Sequence, residues 1–349
     1  MAASVNEKSR MTYSESQSAS SGQFGITISC YRGDLPLLKG CLESIRSNLP
    51  VEIPICLIQH GEMRLGDLER TYGIRVLHER EVDSRLREAS YGYGLTKMIA
   101  FWHSPFEHFL HIDADAVCWG NIVKGLPWRE FDFIYNEPHE IIDDRIQRGQ
   151  YFDPSIVFGP LPKFPWEGQP YFNSGIFAAK RGILDLEEYL QLCKFQRENP
   201  TAFNSGEQGI LNYMIFRRIT SGTIKACQWP LQAVVPVIPK EVLKGRFRFE
   251  NGRPAICEED RRLVHWAGPK PYLTKSGPFP EPMSYYRTQY LVRTGSPWRR
   301  LAIAALIIDE LWVRLGNAHR VGLLSSIIAK LRNIASRRSS RLQTPAITR

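Results

Sequence analysis

Phe109-Leu110-His111-Ile112-Asp113-Ala114-Asp115-Ala116-Val117 is an apolar run that meets two carboxylates. A short, nearly unbroken apolar run reads as a strand buried on both faces, as in a parallel sheet. Acids at i and i+2 near its carboxyl end project to one side of the extended chain. Open α/β sheets bind ligands at that edge. Like charges held this close repel unless a cation sits between them, and hard divalent cations prefer oxygen ligands. The segment reads either as half of a metal site or as a strand end whose acids are solvated in a turn.

The flanking sequence fits an α/β sheet. A strand is expected at Ile26–Cys30, then the loop Tyr31-Arg32-Gly33-Asp34 and a helix with Leu37, Leu38, Cys41, Leu42 and Ile45 on one face. Strands at Ile53–Ile58 and Ile74–Leu77 follow, and a helix over Leu95–Phe101 leads into the acid-tipped strand. This β-α-β-β-α-β order implies crossover helices. Beyond it, strands are expected at Phe131–Tyr135 and Phe172–Ala178, and helices at Leu184–Phe195 and Gln208–Phe216. Residues 228–290, rich in Pro and Gly, read as irregular.

With 349 residues, 43% of them apolar and 23% charged, the chain can bury a sizeable core. Its seven cysteines are scattered and form no C-x-x-C pair, which argues against a disulfide framework or a zinc site. That usage, with no apolar signal segment near Met1, points to the cytoplasm. From Pro297 onward ten Lys/Arg face two acids, so this stretch carries +8 of the net +9. The rest is near neutral, which excludes the overall basic footprint of many nucleic-acid binders.

Three more motifs carry chemistry. Phe172-Asn173-Ser174-Gly175-Ile176-Phe177 sets an amide and a hydroxyl before a glycine, where backbone can approach a ligand closely. Gly206-Glu207-Gln208-Gly209 sets an acid and an amide at a helix start. His265-Trp266-Ala267-Gly268-Pro269-Lys270-Pro271 holds an imidazole, a cation and a turn. Singly, these are a turn residue, a helix cap and a structural histidine.

In this order they resemble glycosyltransferase family eight, the group of glycogenins and bacterial lipopolysaccharide galactosyltransferases. The likeness covers roughly residues 25–272. Leu95-Thr96-Lys97-Met98 is similar to the Thr-Lys-Leu of glycogenins, and the F-N-S-G-[IV]-F motif is intact. The family's D-Q-G appears as Glu207-Gln208-Gly209, and H-x-x-G-x-x-K-P has one residue fewer between Gly268 and Lys270. Tyr272 replaces the terminal Trp, so the chain reads as a divergent branch.

The resemblance implies a GT-A fold, a Rossmann-like mixed α/β sheet, over residues 23–290. A disordered segment 1–22 would precede it and a basic helical extension 291–349 would follow. It implies transfer of a hexose, with retention, from a UDP-linked donor to a glycan, lipid or protein. Asp113, Asp115 and His265 would hold Mn²⁺ or Mg²⁺, one nitrogen among oxygens suiting Mn²⁺. Lys97, Ala114, Ser174, Gly268 and Lys270 would contact the donor, and Cys30, Tyr31 and Arg32 its uridine. Asn173, Glu207 and Gln208 match positions lining the donor sugar. Gln208 would be a poor nucleophile, which favours attack from the face that the diphosphate leaves. Tyr151, Trp166 and Tyr171 are candidates for stacking on an acceptor.

Other readings stand beside this one, among them a nucleotidyltransferase on a related sheet, whose Gly-rich basic loop is poorly matched by Ser29-Cys30-Tyr31-Arg32-Gly33. Leu110–Val117 also matches the D-x-D-x-[TV] signature of haloacid-dehalogenase phosphatases, which normally follows a first strand. A catalytically inactive sugar-nucleotide- or carbohydrate-binding protein would share the fold. At the other end, Leu301–Val313 is apolar on nearly all sides at first but too short to span a bilayer. Leu324, Ile327, Ile328, Leu331 and Ile334 form one helical stripe flanked by cations, a pattern that suits an anionic membrane surface.

Overall fold

The computed structural model describes residues 24–91, 94–137, 143–275 and 277–314. Its strands are β1 (Phe24–Tyr31), β2 (Ile55–His60), β3 (Arg75–Leu77), β4 (His108–Asp113), β5 (Ala116–Trp119), β6 (Phe133–Asn136), β7 (Ile176–Lys180), β8 (Ala226–Trp229), β9 (Gln232–Val235), β10 (Phe249–Glu250), β11 (Arg253–Pro254) and β12 (Arg262–Trp266). Its helices are α1 (Leu35–Asn48), α2 (Gly66–Tyr72), α3 (Ser84–Ser90), α4 (Ala100–His103), α5 (Asp144–Gln150), α6 (Pro154–Val157), α7 (Leu186–Glu198), α8 (Glu207–Thr220), α9 (Lys240–Arg246), α10 (Glu281–Arg293) and α11 (Ala302–Arg314).

The main sheet runs β3-β2-β1-β4-β7-β6-β8. Strands β3 to β4 are parallel, and β7 is antiparallel to both β4 and β6. Strand β4 shows why its sequence is apolar without alternation. Phe109 packs on one face with Phe101, Phe133 and Phe177, while Leu110 and Ile112 join Ile26, Ile28 and Ile176 on the other. Covered on both sides, the strand has no solvent face to mark with polar residues.

The quoted run is not one strand. It ends at Asp113, turns through Ala114 and Asp115, and restarts as β5 in a second sheet of order β5-β12-β9. There β12 is antiparallel to β5, with His265 opposite Ala116, and parallel to β9. The Trp266 N–H donates to the Asp115 carbonyl at 3.2 Å. Register in this small sheet therefore delivers His265 to the acid pair.

Two expectations need correction. Phe172–Gly175 precedes β7 as a turn across the sheet end rather than extending the strand. Residues 228–290 are not irregular but hold β9 to β12, α9 and α10. Their strands are two to five residues long and set among Pro and Gly, too short for a periodic pattern to emerge.

Helix α11 lies on α10 and α1, with Leu306 buried. Glu310, fully buried, pairs with Arg287 at 2.5 Å and accepts the backbone N–H groups of Leu273 and Thr274. Lys39 of α1 pairs with Asp309 at 2.8 Å. The first apolar helix thus packs on the domain, although Leu301, Ile303, Leu311 and Trp312 remain outside the contact. The stripe Leu324–Ile334 and the segment 1–22 lie outside the described residues. Among described helices, none is long and apolar enough to cross a membrane.

Candidate active site

Ligand atoms of Asp113, Asp115 and His265 lie within 4.8 Å of one another. His265 Nε2 faces Asp115 Oδ1 at 3.5 Å and Asp113 Oδ2 at 3.8 Å. The other ring nitrogen, Nδ1, meets Gln232 Oε1 at 2.7 Å, and the Gln232 amide nitrogen donates to the Asn173 carbonyl. An acceptor at Nδ1 places the proton there, which leaves the Nε2 lone pair aimed at the carboxylates. Burial pushes the His265 pKa down despite Asp115 and Asp113, so the ring stays neutral. Two carboxylates and a neutral imidazole form a donor set suited to a divalent cation. Gly175 leaves room for it: a Cβ there would sit 2.2 Å from His265 Cε1 and 2.9 Å from Asp113 Oδ2.

Two lysines partner the acids. Lys97, almost fully buried, pairs with Asp113 Oδ2 at 2.8 Å and Glu207 Oε1 at 2.9 Å, and donates to the Ser174 carbonyl. Burial would lower its pKa, but Asp113 and Glu207 raise it, so it stays charged. Burial likewise opposes ionisation of Asp113, yet Lys97 and the His111 hydrogen bond hold its carboxyl far below the usual range. Lys270 bonds Asp115 Oδ2 from the rim, its side chain 31% exposed. The shortened histidine motif still brings Lys270 to the acids, because Gly268 turns the chain at φ +107°.

The sugar-side residues form a second cluster. Asn173 Nδ2 and the Ser174 N–H both donate to Gln208 Oε1, at 3.1 and 3.3 Å. Ser174 Oγ donates to Glu207 Oε1 at 2.9 Å. Asn212, wholly buried, brackets the Phe172 backbone with its amide, accepting from the N–H and donating to the carbonyl. Gly94, at φ +84°, lies against Glu207; a Cβ would meet Oε2 at 2.1 Å.

Two clefts meet over these residues. The first, about 500 Å³, is lined by Asn173, Ser174, Glu207, Gln208, Gly268 and Lys270 among others. The second, about 380 Å³, runs past Cys30, Tyr31, Asp34, His60 and Ala114 to the same acids and lysines. Arg32 stands apart, along a neighbouring groove with Gln59, Met63 and Trp312. The faces of Tyr151 and Tyr171 are largely taken by other rings: the two pack at 5.0 Å, and Tyr171 meets Phe216 edge-on.

Three site residues were not singled out in the sequence. His111, fully buried, bonds Thr27 through Nδ1 and Asp113 Oδ1 through Nε2, both at 3.2 Å. Its signal was present, as the one polar residue inside the apolar run. Asp34, in the quoted loop, has its pKa raised to about 7, by burial first and then by Asp115. Gln232 gave no signal, since only β9–β12 pairing brings it to His265.

Against protein-family models and against curated proteins the sequence has no match. Solved structures do match in fold. A bifunctional glycosyltransferase, WbbM, superposes with TM-score 0.50 at 12% identity, covering 81% of this chain and 51% of its own. The glycosyltransferase GlyE of Streptococcus pneumoniae gives 0.47 at 12% identity (81% and 64%). The galactosyltransferase LgtC, solved with donor and acceptor sugar analogs, gives 0.45 at 12% (79% and 99%). The chain spans about half the length of WbbM, and the likeness is one of fold. A mixed α/β sheet of GT-A type is therefore the architecture of this protein.

Proposed function

We propose that this protein is a metal-dependent, retaining glycosyltransferase, a divergent relative of family eight, that moves a hexose from a UDP-linked donor. The observation carrying this reading is the convergence of Asp113, Asp115 and His265 within 4.8 Å, beside Lys97 and the Asn173–Glu207–Gln208 cluster. Motifs far apart in sequence meet there, from the end of β4, the start of α8 and β12 of the second sheet.

Asp113, Asp115 and His265 would hold Mn²⁺ or Mg²⁺. Bound there, the ion supplies Lewis-acid stabilisation of the leaving diphosphate. Lys270 reaches phosphate oxygens from the rim, and Lys97 fixes Asp113 against Glu207. Cys30, Tyr31 and Ala114 wall the nucleoside cleft. Glu207, held by Ser174 and Lys97, orients sugar hydroxyls. Gln208 and Asn173 line the sugar face opposite the leaving group, and because the Gln208 amide is a poor nucleophile the acceptor attacks from the diphosphate side. The diphosphate then takes the acceptor proton.

The phosphatase reading loses ground here. The acid-tipped strand is the fourth among the described residues, and Glu207 and His265 belong to its site. Residues 23–290 would form the transferase unit, a boundary that falls within α10. Segment 291–349, whose first part packs on the domain through α11, would offer its excess of cations and the exposed Leu301, Ile303 and Trp312 to an anionic membrane face near a glycan or lipid acceptor.

UDP release over a panel of UDP-sugars, with and without Mn²⁺, tests the reading. Release should need the metal and vanish in Asp115→Asn. Normal transfer by that variant, indifference to EDTA, or hydrolysis of p-nitrophenyl phosphate without a sugar donor would overturn it. Gln208→Ala should lower turnover far more than donor affinity.

A further inference from the structure

The two lysines on the acid pair differ in freedom. Lys97 is buried on its turn and held by three oxygens, from Asp113, Glu207 and Ser174. Lys270 sits on the rim of both clefts, and its side chain is held at one point, Asp115 Oδ2. The other oxygen of that carboxylate faces His265 Nε2, where a cation would bind.

We infer that Lys270 competes with the divalent cation for Asp115, so that cation and diphosphate enter the site as a coupled pair. This rests on the metal reading above and assigns Lys270 a positioning role beyond contact with the donor. A divalent charge arriving beside Asp115 Oδ1 repels an ammonium on Oδ2. Lys270 must then leave, and an anionic diphosphate on the rim gives it a new partner. Without the diphosphate, the displaced ammonium opposes the cation. With it, the same ammonium favours both ligands, and by linkage each raises the affinity of the other. Lys97 cannot substitute, because it is locked in place.

The test is Mn²⁺ binding to the full chain, followed by the electron paramagnetic resonance of the free ion, with and without UDP as the diphosphate probe. In Mn²⁺ alone, Lys270→Ala and Lys270→Gln should bind about tenfold tighter than the natural protein. Lys270→Arg should bind like the natural protein. UDP should tighten Mn²⁺ binding less in the neutral variants. A gain of affinity is not what structural damage produces. Unchanged or weaker Mn²⁺ binding by both neutral variants overturns the inference alone. Failure of the natural protein to bind Mn²⁺ better than Asp115→Asn overturns the metal reading and the inference with it.

Discussion

Gly175 lies so close to His265 that a Cβ on it would stand 2.2 Å from Cε1 of the imidazole. The glycine also gives its carbonyl to the Asp113 N–H at 3.0 Å, so one residue touches two of the three proposed ligands. Gly175→Ala should push the ring aside and weaken Mn²⁺ binding at least about tenfold, while costing about 1–3 kcal/mol of stability. Mn²⁺ titration beside thermal melting checks this; an alanine variant that binds Mn²⁺ normally would show that His265 is no ligand.

Gln232 sets the His265 tautomer. Gln232→Leu leaves Nδ1 without its buried acceptor, and loss of such an outer partner typically costs about 10–100-fold in metal affinity. Gln232→Glu keeps an acceptor at the same place and should retain binding. Equal losses in both variants would mean that Gln232 merely fills space.

A pH effect follows from Asp34, whose pKa stands near 7, raised by burial and by the Asp115 charge. The folded state then holds a proton that the unfolded chain has released, so this group lowers stability as pH rises from about 4 to about 7. Its penalty is complete above that range. Asp34→Asn should melt higher than the natural protein at about pH 8 and show little difference at about pH 4. Parallel melting curves across that range would refute the assignment.

Much of this was legible in the sequence because it rests on local signals. The two-sided burial of β4 wrote itself as an apolar run, and the helix over Leu35–Asn48 as a stripe of Leu37, Leu38, Cys41 and Ile45. The acid pair, the glycine turn and the histidine motif were visible as residue patterns. What stayed hidden depends on pairing between distant short strands. Gln232 reaches His265 only through β9–β12 register, and the break after Asp113 arises because Ala116–Trp119 prefers a second sheet. The resemblance groups Arg32 with the nucleoside, whereas in the structure it lines a neighbouring groove.

Helix α11 is tied down through Glu310 and Arg287, both essentially without solvent. Removing one member strands the other charge, so Glu310→Ala should cost about 3–5 kcal/mol, read by urea unfolding. The double variant Arg287→Met/Glu310→Leu should recover much of that loss. A Glu310→Ala protein as stable as the natural one would show that α11 contributes nothing to the fold.

The pairing of Ala116 with His265 has a consequence for how such a protein can diversify. Neighbours along β12 point to opposite faces, so a slip of one position would exchange His265 for Trp266 and erase the ligand set in a single step. Loops between Trp119 and Arg262 can lengthen, shrink or be traded over evolutionary time without disturbing that alignment. An insertion of one residue at Leu263 or Val264 cannot, which makes a few rungs of a three-stranded ladder the part of the inheritance least open to revision.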